Sequence, residues 1–377
     1  MTYIVIKIKW IRYVCLIFFL TTLLDKSEAQ DIDYVSVVKH VSQTPSSVTD
    51  NTTQLSNYLT APFNTEKEKL ASIYFWVAKN IRYDDELAKS PRLYLEIREV
   101  VDEVMKSKSG VCQHYAELYA ELSRLAGLQV FVVDGYTLEY GKIADVSHAW
   151  NIVKLSGNWY FIDATWANAV IKSTSKKTFP QTYFMVTPEE SIETHMPFDP
   201  IWQILSFPIN YDQFDSGKFD LTNGDFSYKD SIALYLMQSS IDQQRESIRR
   251  MQNNGTFNKL IKREFELKQR NLNTSLSNQE ILKYNKGIVY YNKGMTFFNH
   301  YIKLRNNEFK DKKYGKDTLI GLIDSSSVNL QNAEKNFAEI KMNDPEIKRQ
   351  IKINTTNINK SKTMIQKERD YVKHFFK

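Results

Sequence analysis

Three residues in the first half of the chain have the chemistry of a thiol nucleophile, its base and the group that orients the base: Cys112, His148 and Asp163. A thiol attacks as thiolate, and the unpaired amides and macrodipole at a helix N-terminus favour that charge. Cys112 follows Ser109-Gly110-Val111 and opens an amphipathic stretch. Tyr115, Leu118, Leu122 and Leu125 lie on one face of that stretch, and Gly127 stands where a left-handed C′ residue belongs. The nucleophile needs a base, and the base needs a carboxylate or amide to hold it. If Ser156-Gly157 is a two-residue turn, Leu155 pairs with Asn158 and Trp150 with Asp163. His148 then shares a face with Trp150 and lies diagonal to Asp163. A three-residue loop would put His148 and Asp163 on opposite faces, so the pairing depends on register.

The flanking pattern supplies elements to position these groups. Thr65-Glu66-Lys67-Glu68 reads as a capping box, and Leu70, Ile73, Val77 and Ile81 follow at 3-4-4 spacing. That predicts a helix with one buried stripe ending near Tyr83-Asp84-Asp85. A second amphipathic stretch covers about Tyr94 to Met105 and breaks at Ser107-Lys108-Ser109-Gly110. From Leu128 the pattern turns to β-branched and aromatic runs at Gln129 to Glu139, Ala149 to Leu155 and Asn158 to Ala164. Helices followed by antiparallel strands predict an α+β domain over residues 30–225.

At these residues the sequence resembles a known family. Ser109-Gly110-Val111-Cys112-Gln113-His114-Tyr115-Ala116, Ser147-His148-Ala149-Trp150-Asn151 and Trp159-Tyr160-Phe161-Ile162-Asp163-Ala164-Thr165-Trp166 are similar to the three core motifs of the transglutaminase-like superfamily. Ile73 to Asp84, and Tyr183-Phe184-Met185 to Trp202-Gln203, resemble the segments before and after the core in its bacterial, kyphoscoliosis-peptidase-like branch. The resemblance covers about half the chain. It implies a papain-like fold in which Cys112 attacks a carboxamide, His148 shuttles the proton and Asp163 orients the imidazole. The acyl-enzyme thioester would pass to water or to an amine. Clotting-type transglutaminases place Trp directly after the nucleophile, whereas Gln113 stands here, which weakens the case for protein cross-linking.

Each candidate has a plainer reading. A lone Cys112 would ordinarily be a packed thiol. Cys112, His114 and His148 as zinc ligands lack paired Cys or His spacing, so no metal or other cofactor is expected, and His114 reads as a packed neighbour. Trp159 reads as core and Trp150 is left open. Asn151 points to the face opposite Trp150, and His195 is given no chemistry. The Cys112 amide is the natural first oxyanion donor; Tyr83 is a weak second.

The remaining features concern the whole chain. Lys7, Lys9 and Arg12 precede an apolar run from Tyr13 to Leu24 and then Ser27-Glu28-Ala29, the pattern of a signal peptide over residues 1–29, cut before Gln30. Cys15 would leave with it, so the exported chain keeps a single cysteine and has no stable membrane span. Residues 30–225 hold 17 Lys+Arg against 26 Asp+Glu, a net of −9, and residues 226–377 hold 29 against 16, a net of +13. In the basic half, Ile281, Tyr284, Ile288, Tyr291, Met295, Phe298 and Ile302 alternate 3-4, with further stripes at Ile323 to Ile340 and Ile347 to Val372. A basic helical bundle or coiled-coil region is expected there. Its charges are interleaved with heptad-spaced apolar residues rather than grouped in a nucleic-acid motif, which argues against nucleic acid; a solvated face of the bundle is the default reading, and an anionic cell-surface polymer, a protein partner or the chain's own acidic domain are the sharper ones. The function read from all this is an exported thiol hydrolase or acyltransferase acting on protein or peptide substrates, in the envelope or outside the cell. The alternative is a non-catalytic peptide-binding or scaffold module of the same fold.

Overall fold

The computed structural model describes residues 32–90, 92, 94, 96–174, 178–221, 226–307 and 314–376; the expected leader at 1–29 lies outside them. Helices α1 (Tyr34–Ser42), α2 (Thr52–Thr60) and α3 (Glu66–Asn80) come first. The α3 N-terminus is closed by the Thr65/Glu68 capping box in both directions. Every residue from Leu70 to Ala78 is buried, so this helix is enclosed on all sides rather than along one stripe. Burying Tyr74, Phe75 and Trp76 contributes about 2 to 3 kcal/mol each.

The chain continues through β1 (Arg82–Tyr83), α4 (Asp85–Lys89), α5 (Ile97–Ser107) and β2 (Ser109–Gly110) into α6 (Cys112–Leu125). On α6 the buried face carries Tyr115, Leu118, Tyr119 and Leu122; Leu125 is 40% exposed and lies off it. Gly127 has φ +79°, as a left-handed C′ residue should.

Strands β3 (Gln129–Glu139), β4 (Lys142–Ile143), β5 (His148–Leu155) and β6 (Asn158–Ile162) follow, then α7 (Ala164–Thr174), β7 (Phe184–Val186), α8 (Pro188–Ser191) and β8 (His195–Pro197). The sheet is antiparallel in the order β4-β3-β5-β6-β7, with β8 on the β3 edge that also takes β4. The β5–β6 connection is the two-residue turn: Ser156 has φ 50°, Gly157 φ 79°, and Leu155 pairs with Asn158. The register runs on to Asn151 opposite Ile162. One core is shared by α3, α6 and a face of the sheet, through Tyr74, Trp76, Tyr115, Leu118, Val130 and Val153. The domain is α+β, and an all-α region follows it.

After β8 come α9 (Tyr211–Ser216), α10 (Tyr228–Met237), α11 (Ser240–Gln252), α12 (Lys259–Asn307), α13 (Lys316–Ala338) and α14 (Pro345–Phe375). The described residues form two compact units, parting between Glu266 and Leu267. The division therefore falls later than the 225/226 shift in charge. Ile232 joins Trp150 and Trp159, and Met251, Leu260 and Ile261 join Tyr136 and Phe198, while Arg250 pairs with buried Asp199 at 2.7 Å. In the second unit Ile323, Leu330, Ala333, Phe337, Ile358, Ile365 and Val372 are buried together, whereas Ile281 is 40% exposed. Among the described residues no helix is long and apolar enough to cross a membrane.

Candidate active site

Cys112 is the first residue of α6, and its strand of origin is held from upstream. Parallel pairing sets Arg82 opposite Ser109 and Tyr83 opposite Gly110. The Ser109 hydroxyl donates to Asp84 Oδ2 at 3.0 Å, and Tyr115 OH donates to the Ile81 carbonyl at 2.6 Å. The end of α3 and the start of α6 are thereby locked together. His114 does not join the site. Its Nδ1 accepts the Val111 amide at 3.3 Å, its Nε2 lies 3.0 Å from Tyr94 OH, and burial lowers its pKa.

His148 begins β5, and the turn register puts it beside Asp163. His148 Nε2 and Asp163 Oδ2 are 2.7 Å apart, with the His148 side chain 10% exposed and that of Asp163 fully buried. Asp163 is also the N-cap of α7: its Oδ1 accepts the amides of Thr165 at 2.7 Å and Trp166 at 3.0 Å, and its own amide donates to the Tyr183 carbonyl. Burial favours the neutral acid. The His148 charge and hydrogen bond, followed by His195, outweigh it and hold Asp163 well below the usual carboxylate range. For His148 burial pulls the pKa down, and the Asp163 charge and hydrogen bond, supported by the Cys112 sulfur, raise it to about 10.

The distance between the Cys112 helix and the His148 strand is set by a buried amide. Asn151 Nδ2 donates to the Ala116 carbonyl at 2.9 Å, tying β5 to the first turn of α6. Asn168 makes the matching tie on the other side, donating to the carbonyls of Ala78 and Ile81. Cys112 and His148 line one cleft of about 340 Å³ with Tyr83, Asp85, Thr137, Glu139, Trp166 and Lys172. Tyr83 is half-buried there; burial, then the nearby Cys112 and the Asp85 and Glu139 carboxylates, push its pKa up to about 12, so its hydroxyl stays protonated. Trp150 and Trp159 are both core.

Sequence reasoning missed His195. It is 2% exposed, its Nε2 lies 3.4 Å from Asp163 Oδ2, and it packs on Trp166, Phe161 and Trp150 with ring centroids 4.4, 4.6 and 5.2 Å away. The signals for it were its place beside Met196-Pro197 and inside the Tyr183-to-Gln203 segment that resembles the family. His148, Asp163 and His195 present donor atoms within 4.8 Å of one another, a set with metal-ligand chemistry. Two of those atoms are already in direct hydrogen-bond contact at 2.7 Å, closer than tetrahedral Zn²⁺ ligands at about 2.0 to 2.1 Å from the ion would stand. The arrangement fits an imidazolium-carboxylate pair better than an ion.

Residues 53–164 match the model of the transglutaminase-like superfamily. Human kyphoscoliosis peptidase is 31% identical over 165 residues, covering 41% of this chain and 24% of that protein. Hillarin of Drosophila melanogaster is 26% identical over 219 residues, 52% of this chain and 25% of that protein. The chain thus spans about a quarter of the length of these curated relatives. The crystal structure of a TGase aligns at 18% identity and a TM-score of 0.25, over 39% of this chain and 37% of that one. The chain carries a transglutaminase-like superfamily domain.

Proposed function

We propose that this transglutaminase-like domain is an exported thiol hydrolase or acyltransferase that cleaves or exchanges peptide or carboxamide bonds. The observation that carries the reading is the 2.7 Å bond between His148 Nε2 and buried, helix-capping Asp163, with Cys112 on the same cleft. Asp163 takes Nε2, which leaves His148 Nδ1 for the sulfur. In the proposed reaction the thiol proton passes to His148 and the sulfur attacks the carboxamide carbon. The amide C–N bond breaks as His148 returns the proton to the leaving amine, leaving a thioester. Water or an acceptor amine then gives its proton to His148 and displaces the sulfur. The Cys112 amide at the start of α6 is the oxyanion donor this requires, and Tyr83 offers a second on the cleft wall.

Export rests on the charged, apolar and small-residue order of residues 1–29. The basic helices are proposed to position the enzyme on a protein partner or an anionic surface polymer. The test uses protein beginning at Gln30, whose sole cysteine is Cys112. Iodoacetamide alkylation should stay fast down to about pH 5 to 6 and collapse in His148→Ala. Slow alkylation that rises only near pH 8.5 in both proteins would replace this reading with a binding module of the same fold.

A further inference from the structure

We propose that His195 is a positioning residue for Asp163, a neutral imidazole whose Nε2–H supports the carboxylate when His148 gives up its proton; this rests on the catalytic reading above. The tautomer follows from its neighbours. His195 Nδ1 lies 2.8 Å from Thr194 Oγ1, and Nε2 faces the Asp163 carboxylate at 3.4 Å. A bare Nε2 would set its lone pair against a buried anion. The favourable arrangement has the Thr194 hydroxyl donating to Nδ1 and the proton on Nε2.

That Nε2 has no aligned hydrogen-bond partner in the resting geometry, although it is buried. A buried donor left unmade is costly, and the acceptor it faces is the oxygen already bonded to His148. Asp163 thus holds three donors now, from His148, Thr165 and Trp166, with a fourth in reserve. When His148 transfers its proton to the leaving amine, Asp163 loses its counter-ion while remaining buried, with Trp150, Phe161 and Trp166 packed on His195 beside it. A tightened His195 bond keeps the carboxylate ionised through that interval, so the proton is not drawn to Asp163 instead. The titratable groups facing His195 are Asp163 and His148; burial, with His148 adding repulsion against the attraction of Asp163, brings the His195 pKa down to about 4.

The experiment pairs ¹⁵N-histidine NMR with Cys112 alkylation in protein beginning at Gln30. His195 should show the neutral Nε2–H tautomer from pH 5 to 9, and Thr194→Val should mix the tautomers. With Cys112 alkylated, so that His148 titrates without the thiolate, the His148 imidazolium of His195→Leu should lose its proton about one pH unit higher than in wild type, the tenfold effect of one hydrogen bond to a charged group. His195→Gln, which keeps an N–H donor at that distance along the side chain, should stay within about threefold of wild type. An Nδ1–H tautomer, titration near the ordinary histidine value, or wild-type profiles in both variants would overturn the proposal. So would equal shifts in the Leu and Gln variants, which would make His195 a packing residue. Should His195→Leu fail to fold, the Thr194→Val spectrum still decides. Sluggish alkylation of the wild type at acid pH would sink the catalytic reading instead, and leave the tautomer measurement interpretable.

Discussion

Gly135 is the register partner of His148 across β3–β5, and on its other edge it pairs with Pro197 of β8. A Cβ built on Gly135 would stand 2.2 Å from the Met196 carbonyl oxygen and 2.3 Å from the Trp150 ring. The missing side chain is therefore what lets β8 lie against β3 and carry His195 to Asp163. Gly135→Ala is expected to cost about 1 to 3 kcal/mol through overpacking, read as a lower urea midpoint at unchanged slope. The His195 imidazole resonance should move with it.

Glu117, five residues beyond Cys112 on α6, is 7% exposed with Oε2 lacking a hydrogen-bond partner. Burial, partly offset by Arg124, raises its pKa to about 7. The folded value lies above the unfolded one near 4.3, so folding is penalised once pH exceeds the unfolded value, and the penalty is complete above about 7. Glu117→Gln should raise stability at pH 8 by up to about 3 kcal/mol and change it little at pH 4. Urea unfolding at the two pH values checks this, and an equal gain at both would remove the carboxylate as its cause.

Asp85 and Glu139 line the cleft beside Tyr83 and Cys112, and among the described residues neither has an ion-pair partner; Lys172 stands on the α7 side. Unneutralised carboxylates at a cleft mouth raise the local concentration of cations. A trimethylammonium methanethiosulfonate should modify Cys112 faster than its sulfonate counterpart, by roughly tenfold relative to the same ratio on unfolded protein. Asp85→Asn with Glu139→Gln should erase most of the preference, as should high salt.

A chain cut after residue 225 should lose its cooperative unfolding transition, whereas one cut after 266 should keep it. The shorter chain lacks Ile232, Met251, Leu260 and Ile261, each contributing about 2 kcal/mol of burial, and strands buried Asp199 without Arg250. Chemical denaturation followed by tryptophan fluorescence distinguishes the two, since Trp150 and Trp159 lie in the affected cluster.

What the sequence alone determined about this protein was local. The Thr65/Glu68 box, the α6 start at Cys112 and the Ser156-Gly157 turn are each specified within a few residues, because caps and two-residue turns are short-range hydrogen-bond patterns. From that turn the His148–Asp163 meeting followed by counting. The tertiary structure alone decided which distant groups join them. His195 reaches Asp163 from a three-residue strand too short to show a period, and Asn151 finds its acceptor on α6, a helix no strand alternation reveals. The unit boundary also moved for a physical reason: charge balance reports the solvated face of a segment, while its membership in a core is decided by a few apolar side chains and one buried ion pair.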